Sequence, residues 1–161
     1  MSETAGAPVL ERLDGFAHHL GRGLVASVAG TAAMTVSSTV EMRLRGRPPS
    51  DAPGRAASQL LRVHVEDDPA TGRLARLGHV MTGVGLGATR GVLGFAGVRE
   101  PAASAAFLGL SLAPDAGGLP ALGIAPPPWR WPPVEIAASV GHHAVFAIAT
   151  GAAYAALERR G

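Results

Sequence analysis

The chain has no cysteine and no lysine, and aromatic residues make up only 4% of it. Without cysteine, neither a disulfide framework nor a thiolate metal site can form. Charged residues are scarce as well, 16% where an ordinary globular domain carries about a quarter. They are also segregated: residues 23–40, 101–114 and 136–157 contain no Asp, Glu, Lys or Arg. With lysine absent, all 14 basic residues are arginine, the imprint of a GC-rich genome rather than of function. The net charge of +2 does not point to nucleic acid, and no nucleic-acid partner is expected, because the arginines flank apolar segments as membrane anchors do. The acidic, polar start of the chain has no short apolar stretch with a cleavage site, so no cleaved signal peptide is expected.

What the chain does have is glycine, 22 residues, and proline, 13. Its charge-free runs are built from Ala, Gly and Val, so the mean hydropathy is only +0.24. A soluble Ala-rich helical protein has a similar composition, and length separates the two. As a helix, Gly23 to Val40 spans about 27 Å, close to the ~30 Å of a bilayer's hydrocarbon core. The pattern predicts an all-α integral membrane protein: an antiparallel, up-and-down four-helix transmembrane bundle with both termini on one side. Residues 1–20 form a polar arm with a short interfacial helix at VLERLDGFAHHL, and 21–161 form a single transmembrane domain. The crossings are placed at about 21–42, 74–98, 101–123 and 134–158, the third interrupted by Pro114, Gly117 and Gly118. The loop 43–73 is extramembrane, with a short helix at AASQLLRVHV.

This topology puts the termini on side A and the long loop on side B. Arg43, Arg45, Arg47, Arg55, Arg62, Arg73, Arg76 and Arg130 fall on side B, against Arg12, Arg22, Arg99, Arg159 and Arg160 on side A. The excess assigns side B, and the loop 43–73, to the cytoplasmic face of a multi-pass protein of the cytoplasmic membrane. Between the third and fourth crossings, PPPWRWPP ends one helix and sets the angle of the next. Trp129 and Trp131 are expected at the water–lipid boundary, with Arg130 reaching the headgroups.

Residues three, four, seven or eleven apart on a helix share a face. By that rule Ser27, Thr31, Thr35 and Ser38 form a stripe ending at Glu41, and His79 shares a face with Arg90. Ser104, Ser111 and Asp115 form a third stripe, and Glu135, Ser139 and His142 a fourth. Gly83, Gly87 and Gly91 repeat the small-residue spacing that lets membrane helices approach closely. An arginine within a crossing is disfavoured against lipid, so Arg90 points inward or snorkels toward side A. At 1.5 Å per residue, Asp115 and His142 both lie about 12 Å below side B, which predicts that they are neighbours with Arg90 reaching toward Asp115.

The six ionisable residues Glu41, His79, Arg90, Asp115, Glu135 and His142 are therefore expected to form one polar cluster. In one reading they only satisfy each other: Arg90 with Asp115, and His79 with Glu41 or Glu135. In a second, His79, His142, Asp115 and Glu135 hold a divalent metal or relay protons, since imidazole and carboxylate suit Zn, Fe or Mn. In a third, b-type haem sits between His79 and His142, which requires both rings at one depth on facing helices. No cofactor is the base expectation. His143 lies 100° round the helix from His142, so at most one of them faces the cluster; His18, His19 and His64 are expected to be solvated. The run GVGLGATRG lacks the strand before it and the Lys-Ser or Lys-Thr after it that a phosphate-binding loop needs.

LGIAPPPW followed by EIAASVGHHAVF resembles the YagU-like family of small bacterial inner-membrane proteins, in which a Gly-Leu-x-Pro-Pro elbow precedes a Glu-Ile-x-Gly-His helix. LGHVMTGVGLG is similar to that family's histidine-led second helix, and GLVASVAGTAAMT is a weaker match to its first. By this resemblance Pro126, Pro127, Glu135, Gly141, His142 and His79 take the family's positions, while Arg90 and the loop RGRPPSDAPG have no mapped counterpart. The resemblance implies a multi-pass helical inner-membrane protein without an established biochemical activity. The function expected is a non-enzymatic accessory or small transport-related membrane protein whose partner is the lipid bilayer. A metal- or haem-binding redox or hydrolytic protein is one alternative. Another is a subunit that packs, as a homo-oligomer or in a larger membrane complex, through its glycine-rich faces.

Overall fold

No proline falls between Pro8 and Pro48, and the segment between them forms one helix, α1, Ala7–Arg45. At 1.5 Å per residue its 39 residues extend about 58 Å. The expected interfacial helix and first crossing are thus a single rod, because nothing in VLERLDGFAHHLGRG breaks the hydrogen-bond ladder. The computed structural model of the chain describes residues 7–62 and 69–160; His64 lies outside them.

Four elements follow: α2 (Ala52–Leu61), α3 (Pro69–Phe95), α4 (Ala102–Ala113) and a short α5 (Leu119–Ala121). The last is α6 (Pro133–Glu158). No strand occurs among the described residues. The short helix expected at 56–65 starts earlier, where Pro53 takes the second helical position, and ends at Arg62 in a left-handed conformation.

Pro114, Gly117 and Gly118 do not break the third long segment as expected. The chain passes through them in a widened π turn, Pro114–Gly118, in which the Leu119 amide donates to the Pro114 carbonyl. The wider turn absorbs the missing proline donor and joins α4 to α5, so the helix runs to Ala121. The prolines of PPPWRWPP are not what stops it. Gly123, with φ +68°, donates to the Pro120 carbonyl while the Ile124 amide donates to Leu119, closing the helix before Pro126 is reached. Gly97, φ +78°, ends α3 in the same way, with its amide on Gly94 and that of Val98 on Leu93.

The long helices pack side by side. α1 lies against both α3 and α6, and α4 bridges α6 and α3. Gly23 of α1 meets Gly87 of α3, and further along Thr31 meets Gly83, so these two run antiparallel. Ser37 meets His142 while His19 meets Tyr154, so α1 and α6 are antiparallel too. The start of α1 and the end of α6 therefore sit at one end of the bundle, with the α3–α4 turn.

Polar and apolar side chains share the interior, and many large apolar side chains lie outside it. Ser27, Thr31, Arg90, Ser111, His143 and Thr150 are buried, and the apolar interior is a small group around Phe107, Phe146 and Ala147. Val25, Val28, Val36, Met81 and Ile148 face outward, each at least half exposed. Both α1 and α6 are long and apolar enough to cross a membrane, and 28% of the apolar window of each is buried.

Candidate functional site

The six residues expected in one cluster separate into three levels along the bundle. At the loop end, Arg45 in the last turn of α1 bridges the Glu41 and Glu135 carboxylates, and Arg47 donates to Glu41 from Nη2 at 2.9 Å and from Nε to both oxygens at 3.2 Å. One turn deeper, Ser37 and His142 Nδ1 are hydrogen bonded at 2.8 Å, and His142 Nε2 lies 3.8 Å from Glu41 without a hydrogen-bond partner. Glu41, Glu135 and His142 do converge, as the seven-residue spacing of 135 and 142 predicts. Neither Asp115 nor Arg90 joins them.

The middle level belongs to Asp115, which the π turn carries toward α6. Its partner is His143, at 3.9 Å, and not His142 as the depth argument predicts. His143 is buried, and its Nδ1 sits 2.9 Å from the Ser139 carbonyl. Helical phase explains the exchange. Positions 143, 146, 147, 150 and 154 are the buried stripe of α6, and 142 is rotated 100° off it, toward α1. The aromatic residues Phe146 and Tyr154 would have identified this stripe in the sequence.

His79 meets neither Glu41 nor Glu135; its Nε2 lies 3.4 Å from Thr35 Oγ1. Thr35 and Ser37 are two residues apart on α1, hence about 200° apart around it. His79 and His142 are therefore hydrogen bonded to different faces of α1 and share no partner there. Among the described residues no three His, Asp or Glu side chains are grouped to hold a metal ion, so His79, His142, Asp115 and Glu135 do not form one ligand set.

Arg90 is at the far end, with the termini. It points inward as expected, 2% exposed, but pairs with Glu100 and not with Asp115: Nη2 donates to Oε1 at 3.0 Å. The guanidinium carbon stands 3.9 Å from the centroid of the Tyr154 ring, and the Tyr154 hydroxyl is hydrogen bonded to His19 Nδ1. A cation over an aromatic face is favourable, more so away from water. Gly94 makes room for the Tyr154 hydroxyl, since a β-carbon there would collide with it. His19 is thus half-buried and bonded rather than solvated. Glu100, Tyr154 and His19 were not singled out by helical spacing. Glu100 is found only once the Gly97 turn folds α4 back over α3, and the others only once α1 and α6 are paired.

Burial raises the Glu100 carboxyl's proton affinity, but hydrogen bonds from Ser104 and Arg90 outweigh it and hold the group below its ordinary value of 4.5. A group depressed on folding contributes stability above its unfolded value and loses it as pH falls through the folded value. Acidification below pH 4.5 is therefore expected to lower the melting temperature of wild-type protein more than that of Glu100→Gln. Equal acid sensitivity in melts of the two proteins would contradict this.

The glycines act as the sequence predicts. A β-carbon on Gly83 would strike Thr31, one on Gly87 would strike Ser27 and the Gly23 carbonyl, and one on Gly91 would lie 2.8 Å from Leu20 Cα. All three are spent on the α1–α3 contact inside the chain. The Trp131 indole donates to the Pro126 carbonyl at 2.6 Å, which closes the proline elbow, while Trp129 and Arg130 are exposed. Comparison of the chain with protein-family models, with curated proteins and with solved structures finds no match.

Proposed function

We propose that this chain is a multi-pass protein of the cytoplasmic membrane, a four-helix transmembrane bundle acting as a non-enzymatic accessory or small transport-related protein. The observation that carries the reading is the apolar outer surface of the long helices. The hydroxyls, His143 and Arg90 are enclosed, while valine, isoleucine and methionine side chains cover the outside of the long helices. A helix at the centre of a soluble protein would bury most of its apolar window, whereas α1 and α6 bury 28% of theirs. Lipid is the partner such an outer surface fits, and polar side chains in lipid-facing helices turn inward to each other.

The remaining helices fit the same reading. Ala102 to Ala121, continuous through the π turn, is about 30 Å long. In α3 the one cation of its second half, Arg90, is enclosed and paired. Trp129 and Arg130 at the elbow suit the interface on the loop side. Membership of the YagU-like family is part of this proposal, resting on the resemblance of the elbow and the helix after it. The polar interior, split into three levels, supports structural pairing over a single catalytic or metal centre. The glycines, consumed within the chain, lend no support to assembly through Gly83, Gly87 and Gly91.

Two measurements test this. Membranes from expressing cells washed at alkaline pH should retain the protein, and its release into the soluble fraction would overturn the reading. Because the chain has no cysteine, single cysteines at Ser50 and Gly97 should be labelled by an impermeant maleimide from opposite sides, Ser50 from the cytoplasm. Labelling of both from one side would exclude an odd number of crossings between them.

A further inference from the structure

We propose that α2 is an interfacial helix, lying along the loop-side surface of the bilayer with Leu60 and Leu61 among the acyl chains and Arg55 and Gln59 turned to the headgroups and water. Its 10 residues sort by helical spacing into two faces. Arg55 and Gln59, four apart, are exposed on one, and Arg62, also exposed, closes the helix just after them. Pro53, Ala57 and Leu60, with Gly54 and Leu61 beside them, make up the other. The start of this apolar face is seated on α3. A β-carbon on Gly54 would lie 2.9 Å from Ala75 Cβ, and one on Gly78 would lie 3.5 Å from Ala57 Cβ. Leu60 and Leu61 continue the same face but are uncovered, 71% and 65% exposed.

The level at which α2 meets α3 identifies what covers the two leucines. Arg73 and Arg76 are exposed on α3 around this contact, and Leu77 and Met81, each more than half exposed, come next along the helix. The outer surface of α3 thus changes here from arginine to apolar side chains, as a helix does where it enters a bilayer. A helix with one apolar and one polar face, held at that boundary, lies in the plane of the interface with its apolar face toward the acyl chains. The stems of Arg55 and Arg62 are long enough to keep their charges at the headgroups while the leucines point the other way. A second protein fits this face poorly, since two leucines offer far less than the about 800 Å² that each partner of a stable interface buries. The inference rests on the membrane reading, and a label at Ile148 tells the failure of one from the failure of the other.

The test uses the full-length chain, which has no cysteine of its own, reconstituted in phosphatidylcholine vesicles. Nitroxide labels are placed singly at Gln59→Cys, Leu60→Cys, Leu61→Cys and Ile148→Cys. All four positions are exposed, so the label displaces no packed side chain. Paramagnetic resonance then compares collisions of each label with oxygen, which concentrates among acyl chains, and with a neutral nickel chelate, which stays in water. The oxygen-to-nickel ratio at Leu60 and Leu61 should exceed that at Gln59 several-fold and approach that at Ile148, on the outer side of α6. The proposal fails if the leucine positions match Gln59 while Ile148 reads lipid, a result that leaves the membrane reading standing. It fails too if both collision rates collapse at Leu60 and Leu61, the mark of a protein covering them. If Ile148 itself reads water, the membrane reading falls and this inference with it.

Discussion

Gly87→Ala is expected to destabilise the protein by about 1–3 kcal/mol, the usual range for forcing a methyl group into a filled interface. The new β-carbon would collide with Ser27 Oγ and the Gly23 carbonyl and come within 2.7 Å of Ser27 Cβ. Two of these obstacles belong to the α1 backbone or to a carbon fixed on it, so a rotamer change cannot relieve them and the helices must separate. The sign is the informative part. In an isolated helix alanine is preferred to glycine by ~1 kcal/mol. Gly85, two residues away on the same helix, has nothing within 4 Å of its β-carbon position. Gly85→Ala should therefore be neutral or stabilising by up to that ~1 kcal/mol. Thermal melts of both variants, followed by the loss of helical circular dichroism, give the comparison; a Gly87→Ala protein melting at or above wild type would disprove the close approach.

Glu100→Gln is expected to cost about 2 kcal/mol. Removing one partner of a fully buried ion pair typically costs about 3–5 kcal/mol, because the other charge is left uncompensated. Arg90 is fully enclosed, but Glu100 keeps 37% of its side chain exposed. Water therefore screens part of the pair, and glutamine can still accept one hydrogen bond, which places the loss below that range. The companion variant separates pairing from function. Arg90→Met combined with Glu100→Gln should recover most of the loss, since apolar replacement of a buried ion pair is often neutral or better. Melting temperatures of the wild type and both variants form the test. A Glu100→Gln protein as stable as wild type would mean that Arg90 does not depend on this carboxylate.

Several features were legible in the sequence because they depend on neighbours along one helix. The spacing of Gly83, Gly87 and Gly91 identifies the face that α3 offers to another helix, and all three do pack on α1. The seven-residue interval from Glu135 to His142 places both on the α1 side. Other expectations required knowledge of how helices rotate against each other. Depth along the helices brings Asp115 to the right stretch of α6, but depth does not fix azimuth, and the one-residue step from His142 to His143 turns the ring by 100°. Arg90 pairs with Glu100 and not with the expected Asp115 for a related reason. Its nearest carboxylate lies only ten residues along the chain, across a glycine-capped turn that folds Glu100 back over it.

The proline-rich elbow shows the same division at a helix end. Its prolines forbid a helix through residues 126–128, which any reading of the sequence finds. The helix nevertheless stops earlier, at Gly123, and survives Pro114 by widening one turn. A proline removes a donor, but whether the backbone then breaks or rearranges depends on what the neighbouring helices allow.

By itself, the sequence determined the helical class, the segregation of charge from the long apolar runs, and the small-residue seam of α3. These follow from composition and from the 3.6-residue period, which are local properties. The partners of the ionisable groups were decided only by tertiary structure. Packed against both α3 and α6, α1 holds His79 at Thr35 and His142 at Ser37 and brings His19 to Tyr154. Six residues that helical spacing made one cluster became three levels, because periodicity specifies a face of a helix but not the helix that covers it.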